Sequence, residues 1–155
     1  MKNQQVAVLF RDLANLLEMR GEGIFRIRAY HRAAQLIEGL NENIEKIALQ
    51  GGLTQLPGIG KDLAGKIQEI IETGTLALYE EIKNQIPPAL LAFLSLPGLQ
   101  PQMARYLFEQ LGIRNLEDLE QMVRTHMLRT VPGFSKEVED EILQGIRTLR
   151  EGSIP

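Results

Sequence analysis

Apolar residues recur at three- and four-residue spacing along almost the whole chain. Val6, Leu9, Phe10, Leu13, Leu16 and Leu17 line one face of an amphipathic helix, which Gly21 and Gly23 end. The spacing predicts a second helix from Phe25 to Leu40. Ala29, Tyr30, Ala33, Leu36, Ile37 and Leu40 form its apolar face, and Arg28, His31, Arg32 and Gln35 lie opposite. A short helix from Ile44 to Leu49 stops at Gly51-Gly52. Leu63, Ile67, Ile70 and Ile71 mark the next helix, closed by Gly74, and Leu76 to Ile86 continues helical until Pro87-Pro88. Further helices are expected at Pro88–Leu94, Pro101–Leu111, Leu116–Val123 and Ser135–Arg150. No run of alternating β-branched residues suggests a sheet. The expected fold class is all-α, a bundle of small helices.

Between these helices one short pattern returns three times: Leu56-Pro57-Gly58-Ile59-Gly60, Leu96-Pro97-Gly98-Leu99-Gln100 and Val131-Pro132-Gly133-Phe134-Ser135. Each copy passes from an apolar residue through Pro-Gly to a second apolar residue, and each precedes a predicted helix. Offsets of 40 and 35 residues are too irregular for a solenoid, so this is one local device used three times. Proline fixes φ and ends the preceding helix; glycine admits positive φ and a close backbone approach. The second apolar residue plugs into the core, and the N–H groups of the turn and of the next helix then point outward together. A helix start of this kind carries partial positive charge and binds anions, nucleic-acid phosphates among them.

The three copies are unequal. The first has both glycines and is followed by Lys61 and Asp62. The second carries Gln100 in place of the second glycine, which hinders close approach, although its helix start from Pro101 to Arg105 is free of acids. The third carries Ser135, suited to an N-cap, with Glu137, Glu139, Asp140 and Glu141 behind it. Those acids favour the helix dipole but repel phosphate. The expected order is the first turn as the DNA contact, the second behind it, and the third mainly structural.

Composition narrows the classes further. A length of 155 residues suits one domain, or two small ones sharing a core. With 44% hydrophobic and 24% charged residues, disorder of the whole chain is excluded. The absence of cysteine removes disulfide scaffolds, Cys-ligated zinc and thiol catalysis, and His31 and His126 are too few for a histidine-rich metal site. Neither a signal peptide nor a run of ~18 apolar residues is found, so a soluble cytoplasmic protein without a membrane partner is expected. A net charge of -3 does not by itself suggest a nucleic-acid binder. Locally, however, Arg20, Arg26, Arg28 and Arg32 face only Glu22, which makes this stretch the first place to look for phosphate.

Three segments together are more specific: Leu17-Glu18-Met19-Arg20-Gly21-Glu22, then Phe25-Arg26-Ile27-Arg28-Ala29-Tyr30-His31-Arg32-Ala33-Ala34, then Leu56-Pro57-Gly58-Ile59-Gly60-Lys61. They resemble the N-terminal region of family X DNA polymerases, in particular the bacterial and archaeal members, over nearly the whole chain. The resemblance implies a DNA polymerase beta-like arrangement, with a lyase-like helix-hairpin-helix domain at 1–86 and a second helix-hairpin-helix subdomain at 87–155. It implies non-sequence-specific binding of gapped, nicked or damaged DNA in repair, at the nucleoid, with a repair protein as a further partner. The family's palm needs a sheet with carboxylates for two metal ions. No strand pattern and no Asp-x-Asp pair is present, and the metal-binding C-terminal phosphoesterase domain of bacterial members has no counterpart either. Polymerase activity is therefore not expected, and Met1 is read as favouring a natural stand-alone protein.

The resemblance also implies site residues. Lys66 matches the lysine that forms a Schiff base with the opened sugar of an abasic site, the chemistry of a 5′-deoxyribose-phosphate lyase. That step needs a neutral amine, which neighbouring cations favour; Arg26 and Arg28 would serve if the second helix packs nearby. Arg26 matches a 5′-phosphate ligand and Tyr30 a tyrosine beside the nucleophile. Arg28, Arg32, Gly58, Ile59, Gly60, Lys61, Gly98 and Arg105 complete the expected phosphate-binding set. Backbone carbonyls of Leu56, Gly58 and Ile59 are candidates for a sodium or potassium ion, with no other cofactor expected.

Other features weigh against a lyase. Lys66 lies roughly 90° from the centre of its helix's apolar face, as a snorkelling lysine would, and Tyr30 sits on an apolar face. Thr54, Asp62 and Leu78 stand where the animal lyases have DNA-contacting lysines, and Phe25 stands at the histidine-like position before the phosphate ligand. A DNA-binding module is the leading reading and the lyase an alternative. A protein-interaction adaptor is the third, supported by the acidic second half and by Gln100 and Ser135.

Overall fold

The computed structural model describes residues 2–152. Among them there is no strand. The helices are α1 (Asn3–Arg20), α2 (Ile24–Glu38), α3 (Ile44–Leu49), α4 (Lys61–Thr73), α5 (Ala77–Asn84), α6 (Pro88–Leu94), α7 (Pro101–Glu109), α8 (Leu116–Arg124) and α9 (Lys136–Gly152). Short 3-10 turns at Leu53–Gln55 and Leu128–Thr130 precede the first and third Pro-Gly turns. The chain divides into two compact units, Met1–Gln85 and Ile86–Pro155. None of the described helices is long and apolar enough to cross a membrane.

In the first unit α1 is the central element, packed against α2, α4 and α5. It is buried on more than one side: Ala7 and Ala14 are enclosed along with Val6, Phe10, Leu13 and Leu17. Small residues at these two positions let neighbouring helices approach closely. Phe10 meets Tyr30 of α2 edge to face, with ring centroids 5.5 Å apart, a pairing that adds about 1 kcal/mol beyond area burial. Gly21 ends α1 in the left-handed region at φ 75°, a conformation that costs other residues a steric penalty.

A polar clamp holds the first hairpin in register. Asn3, 5% exposed, donates to the Glu42 carbonyl at 2.8 Å and accepts from the Ile44 N–H at 2.8 Å. This fixes the start of α3, whose second residue Glu45 donates its N–H to the Asn43 side chain at 3.0 Å. Lys2 Nζ donates to the Ile71 carbonyl at 2.6 Å, and Gln5 reaches the Gly74 carbonyl at 3.1 Å, tying α1 to the end of α4.

The second unit repeats the hairpin device twice, in α6–α7 and α8–α9. Its core holds Phe93, Leu107, Leu119, Val123, Leu128, Ile142 and Ile146. Asn115 caps α8 by accepting from Asp118 N–H at 2.7 Å, and Ser135 caps α9 by accepting from Val138 N–H at 3.1 Å. Glu139 of α9 is 1% exposed. It accepts from Arg129 N–H at 2.9 Å and from the Arg129 guanidinium at 2.9 and 2.7 Å, and lies 3.0 Å from His126 Nδ1. Burial alone would raise this carboxyl. The Arg129 and His126 side-chain contacts and the Arg129 amide outweigh it, and the group titrates below its ordinary value. One of the acids expected to repel phosphate is thus buried in the third hairpin, its charge balanced by Arg129.

Candidate nucleic-acid interface

The three Pro-Gly turns are built alike, atom by atom. In each the residue after Pro-Gly donates back across the turn: Ile59 N–H to Leu56 at 3.1 Å, Leu99 to Leu96 at 3.4 Å, Phe134 to Val131 at 3.0 Å. Proline followed by a positive-φ glycine makes this the type II geometry, with Gly58, Gly98 and Gly133 at φ 78°, 84° and 91°. The same apolar residue then turns inward: Ile59, Leu99 and Phe134 are all buried. The following helix opens with matching bonds from Ala64 to Gly60, Ala104 to Gln100 and Glu139 to Ser135.

In the first turn the amides of Gly58, Gly60, Lys61, Asp62 and Leu63 meet no hydrogen-bond acceptor among the described residues. Gly60 is in extended backbone, φ -88° and ψ -171°, so its conformation does not require glycine. A Cβ built there would meet no atom within 4 Å, and the same holds at Gly58 and Gly65. Gly58, Gly60, Lys61 and Asp62 are exposed. The carbonyls of Gly58 and Ile59 accept no bond among the described residues, while that of Leu56 accepts from Ile59.

The cations are arranged less simply than their sequence density suggests. Arg20 and Arg26 share Glu22: Arg20 pairs with one oxygen, and Arg26 Nη1 stands 3.6 Å from the other. Arg28, Arg32 and Lys61 are exposed, and none makes an ion pair among the described residues. Phe25, beside Arg26 at the start of α2, is 82% exposed. In the second unit Arg105 is bonded to Glu109 at 3.1 Å, and the space beside Gly98 is filled by Glu141 and Val138 of α9.

Comparison with known proteins agrees with this geometry. Residues 1–76 match the model of a helix-hairpin-helix domain, and residues 90–148 match that of a SAM-like helix-hairpin-helix tandem. The chain is 27% identical over 146 residues to the DNA polymerase/3'-5' exonuclease PolX of Bacillus subtilis (strain 168), covering 94% of this chain and 25% of that protein. It is 34% identical over 119 residues to DNA polymerase lambda of Arabidopsis thaliana, covering 76% of this chain and 22% of that one. This is an all-α helix-hairpin-helix chain homologous to the family X DNA polymerases. It spans about a quarter of the length of these relatives.

Two of the residues expected for a lyase are already engaged within the protein. Lys66 is turned inward, its side chain 17% exposed, and Nζ donates to Asp62 Oδ1 at 2.7 Å one helical turn back. A carbonyl would first have to displace that carboxylate. Tyr30 is 2% exposed, its ring against Phe10, so it fills the core of the first unit. The (i, i+4) spacing of Asp62 and Lys66 was legible in the sequence. The sharing of Glu22 by two arginines was half legible, since Glu22 and Arg26 are also four apart. Nothing along the chain signals Asn3, which sits on a helix start that reads as surface.

Proposed function

We propose that this chain is a DNA-binding module that grips the sugar–phosphate backbone without reading bases, with the first hairpin at the centre of the contact. The observation that carries the reading is the set of unengaged amides at Gly58, Gly60, Lys61, Asp62 and Leu63, with open space where a Cβ would stand at Gly58 and Gly60. Backbone N–H groups at a helix start bind an anion whatever base it belongs to. Lys61, Arg28 and Arg32, free of ion pairs, add the salt-dependent attraction. The Gly58 and Ile59 carbonyls suit a sodium or potassium ion bridging turn and phosphate.

A role at gaps or nicks rests on Phe25. An aromatic ring this exposed, next to Arg26 and Arg28, is a stacking platform, and an interrupted strand opens to it a base face that an intact duplex keeps stacked. On this reading the protein works at the chromosome in repair, and nucleotide insertion is left to another polypeptide or region.

The test is binding of labelled intact duplex and of a duplex with a one-nucleotide gap across a salt series. With three or four neutralised phosphates, log K should fall against log salt with a slope of about -3. The gapped duplex should bind more tightly. The chain has no tryptophan, so Phe25→Trp introduces a sole tryptophan, excited apart from the three tyrosines, that gapped DNA should quench and intact duplex should not. Binding indifferent to salt, or no binding to any DNA at low salt, would overturn the reading.

A further inference from the structure

The three turns share one backbone, so their surroundings can be compared position by position, and the second is unlike the first in three ways. Where Gly60 leaves its space empty, Gln100 places an exposed side chain on nearly the same backbone, φ -79° and ψ 157°. Where Lys61 offers a backbone N–H and an unpaired cation, Pro101 offers neither, because proline has no amide hydrogen. Where nothing lies within 4 Å of a Cβ built at Gly58, one built at Gly98 would stand 3.0 Å from Glu141 Oε2, 3.3 Å from Glu141 Cβ and 3.6 Å from the Val138 carbonyl.

The third difference is built into the packing of α9. Gly145, one helical turn after Glu141, lies against Pro97; a Cβ at Gly145 would come within 2.5 Å of Pro97 Cδ and 3.2 Å of Leu96 Cδ2. The missing side chain at Gly145 lets α9 settle on the turn, and this seats Glu141 beside Gly98. A carboxylate there repels an incoming phosphate, while Gln100 obstructs its close approach.

Given that DNA is held by hairpin amides, as proposed above, we propose that Gln100 and Glu141 close the second hairpin to phosphate. They are the residues that limit how tightly this chain holds DNA. The second hairpin is then a packing element of its unit, and the DNA footprint is carried by the first.

The experiment is a gain of function. Gln100→Gly with Glu141→Gln should tighten binding to intact duplex about tenfold, the worth of one charge-assisted phosphate contact, and steepen the salt slope by about one contact. Glu137→Gln, the same change of charge on the same helix, should do much less. Made in a Gly60→Gln background, the double substitution should restore part of the lost binding. Gln100→Ser, the residue type found at the third turn, is the milder variant should glycine loosen the start of α7, with folding checked by thermal melting. The proposal is overturned if folded double variants bind as the parent does, or if Glu137→Gln matches them. It is equally overturned if Arg105→Ala in the parent costs as much binding as Gly60→Gln, since the second hairpin would then already touch DNA. If Gly60→Gln itself leaves binding intact, it is the first-hairpin reading that fails.

Discussion

Replacing Gly60 by glutamine separates what the fold needs from what a ligand needs. The backbone at Gly60 lies in the extended region open to any residue, and an added Cβ meets nothing within 4 Å. Restricting the unfolded chain would stabilise the protein by about 0.4–1 kcal/mol. Against this, glycine is a better helix N-cap than a residue unable to cap, by up to about 1 kcal/mol. The two nearly cancel, so the melting temperature should move by no more than about 3 °C. Binding should respond differently. The side chain would stand over the amides of Gly60 and Lys61, and loss of one charge-assisted hydrogen bond costs about 1.5–3 kcal/mol, a weakening of at least about tenfold. Fluorescence anisotropy on duplexes of several sequences, with a thermal melt of the same samples, reads both quantities. Gly58→Ala is the contrast: at φ 78° it strains the backbone by about 1–2 kcal/mol and should lower stability as well as binding. A Gly60→Gln protein that binds every duplex as before, or that melts many degrees lower, would refute the reasoning.

Other outcomes follow from single contacts. Glu139 titrates below the ordinary carboxylate value in the folded protein. Its stabilisation is therefore present in full above the unfolded carboxylate range and is lost as pH falls through the depressed folded value. The parent should lose melting temperature on acidification below about pH 4.5 more steeply than Glu139→Gln, and that variant should be less stable at neutral pH by about 3 kcal/mol, the scale for breaking a buried ion pair. Asn3→Leu leaves the Ile44 N–H and the Glu42 carbonyl without the partner they have now. A loss of about 2–4 kcal/mol in urea unfolding is expected from two stranded groups; an unchanged midpoint would count against the clamp. Borohydride trapping on an abasic-site oligonucleotide should give little adduct with the parent, because Asp62 holds the Lys66 amine, and more with Asp62→Asn. An adduct that persists in Lys66→Ala would remove Lys66 as the nucleophile.

Much of the local structure was legible in the chain. Apolar spacing marked the helices, and the three Pro-Gly pentapeptides marked the turns, because both are set by interactions within a few residues. Helix ends drifted by a residue or two: α2 starts at Ile24, and the helix expected to run to Ile86 stops at Asn84. The inward turn of Ile59, Leu99 and Phe134 was also legible, since an apolar residue between two backbone punctuators has one favourable side to face.

What the turns face was decided only by packing. Tyr30 could line a site or fill a core until Phe10, twenty residues earlier, was placed against its ring. Glu139 read as one of a run of repulsive acids until Arg129 and His126 were brought to it from across the third turn. Gln100 read as an obstacle at the second turn and Glu141 as one of the acids behind the third, until Gly145 let α9 down onto the second turn and set Glu141 beside Gly98. Where amides can be offered is set along the chain alone, because backbone geometry is local. The tertiary structure decided which of those amides stand open, because desolvation and charge act between whatever the fold brings within a few ångströms, however distant along the chain.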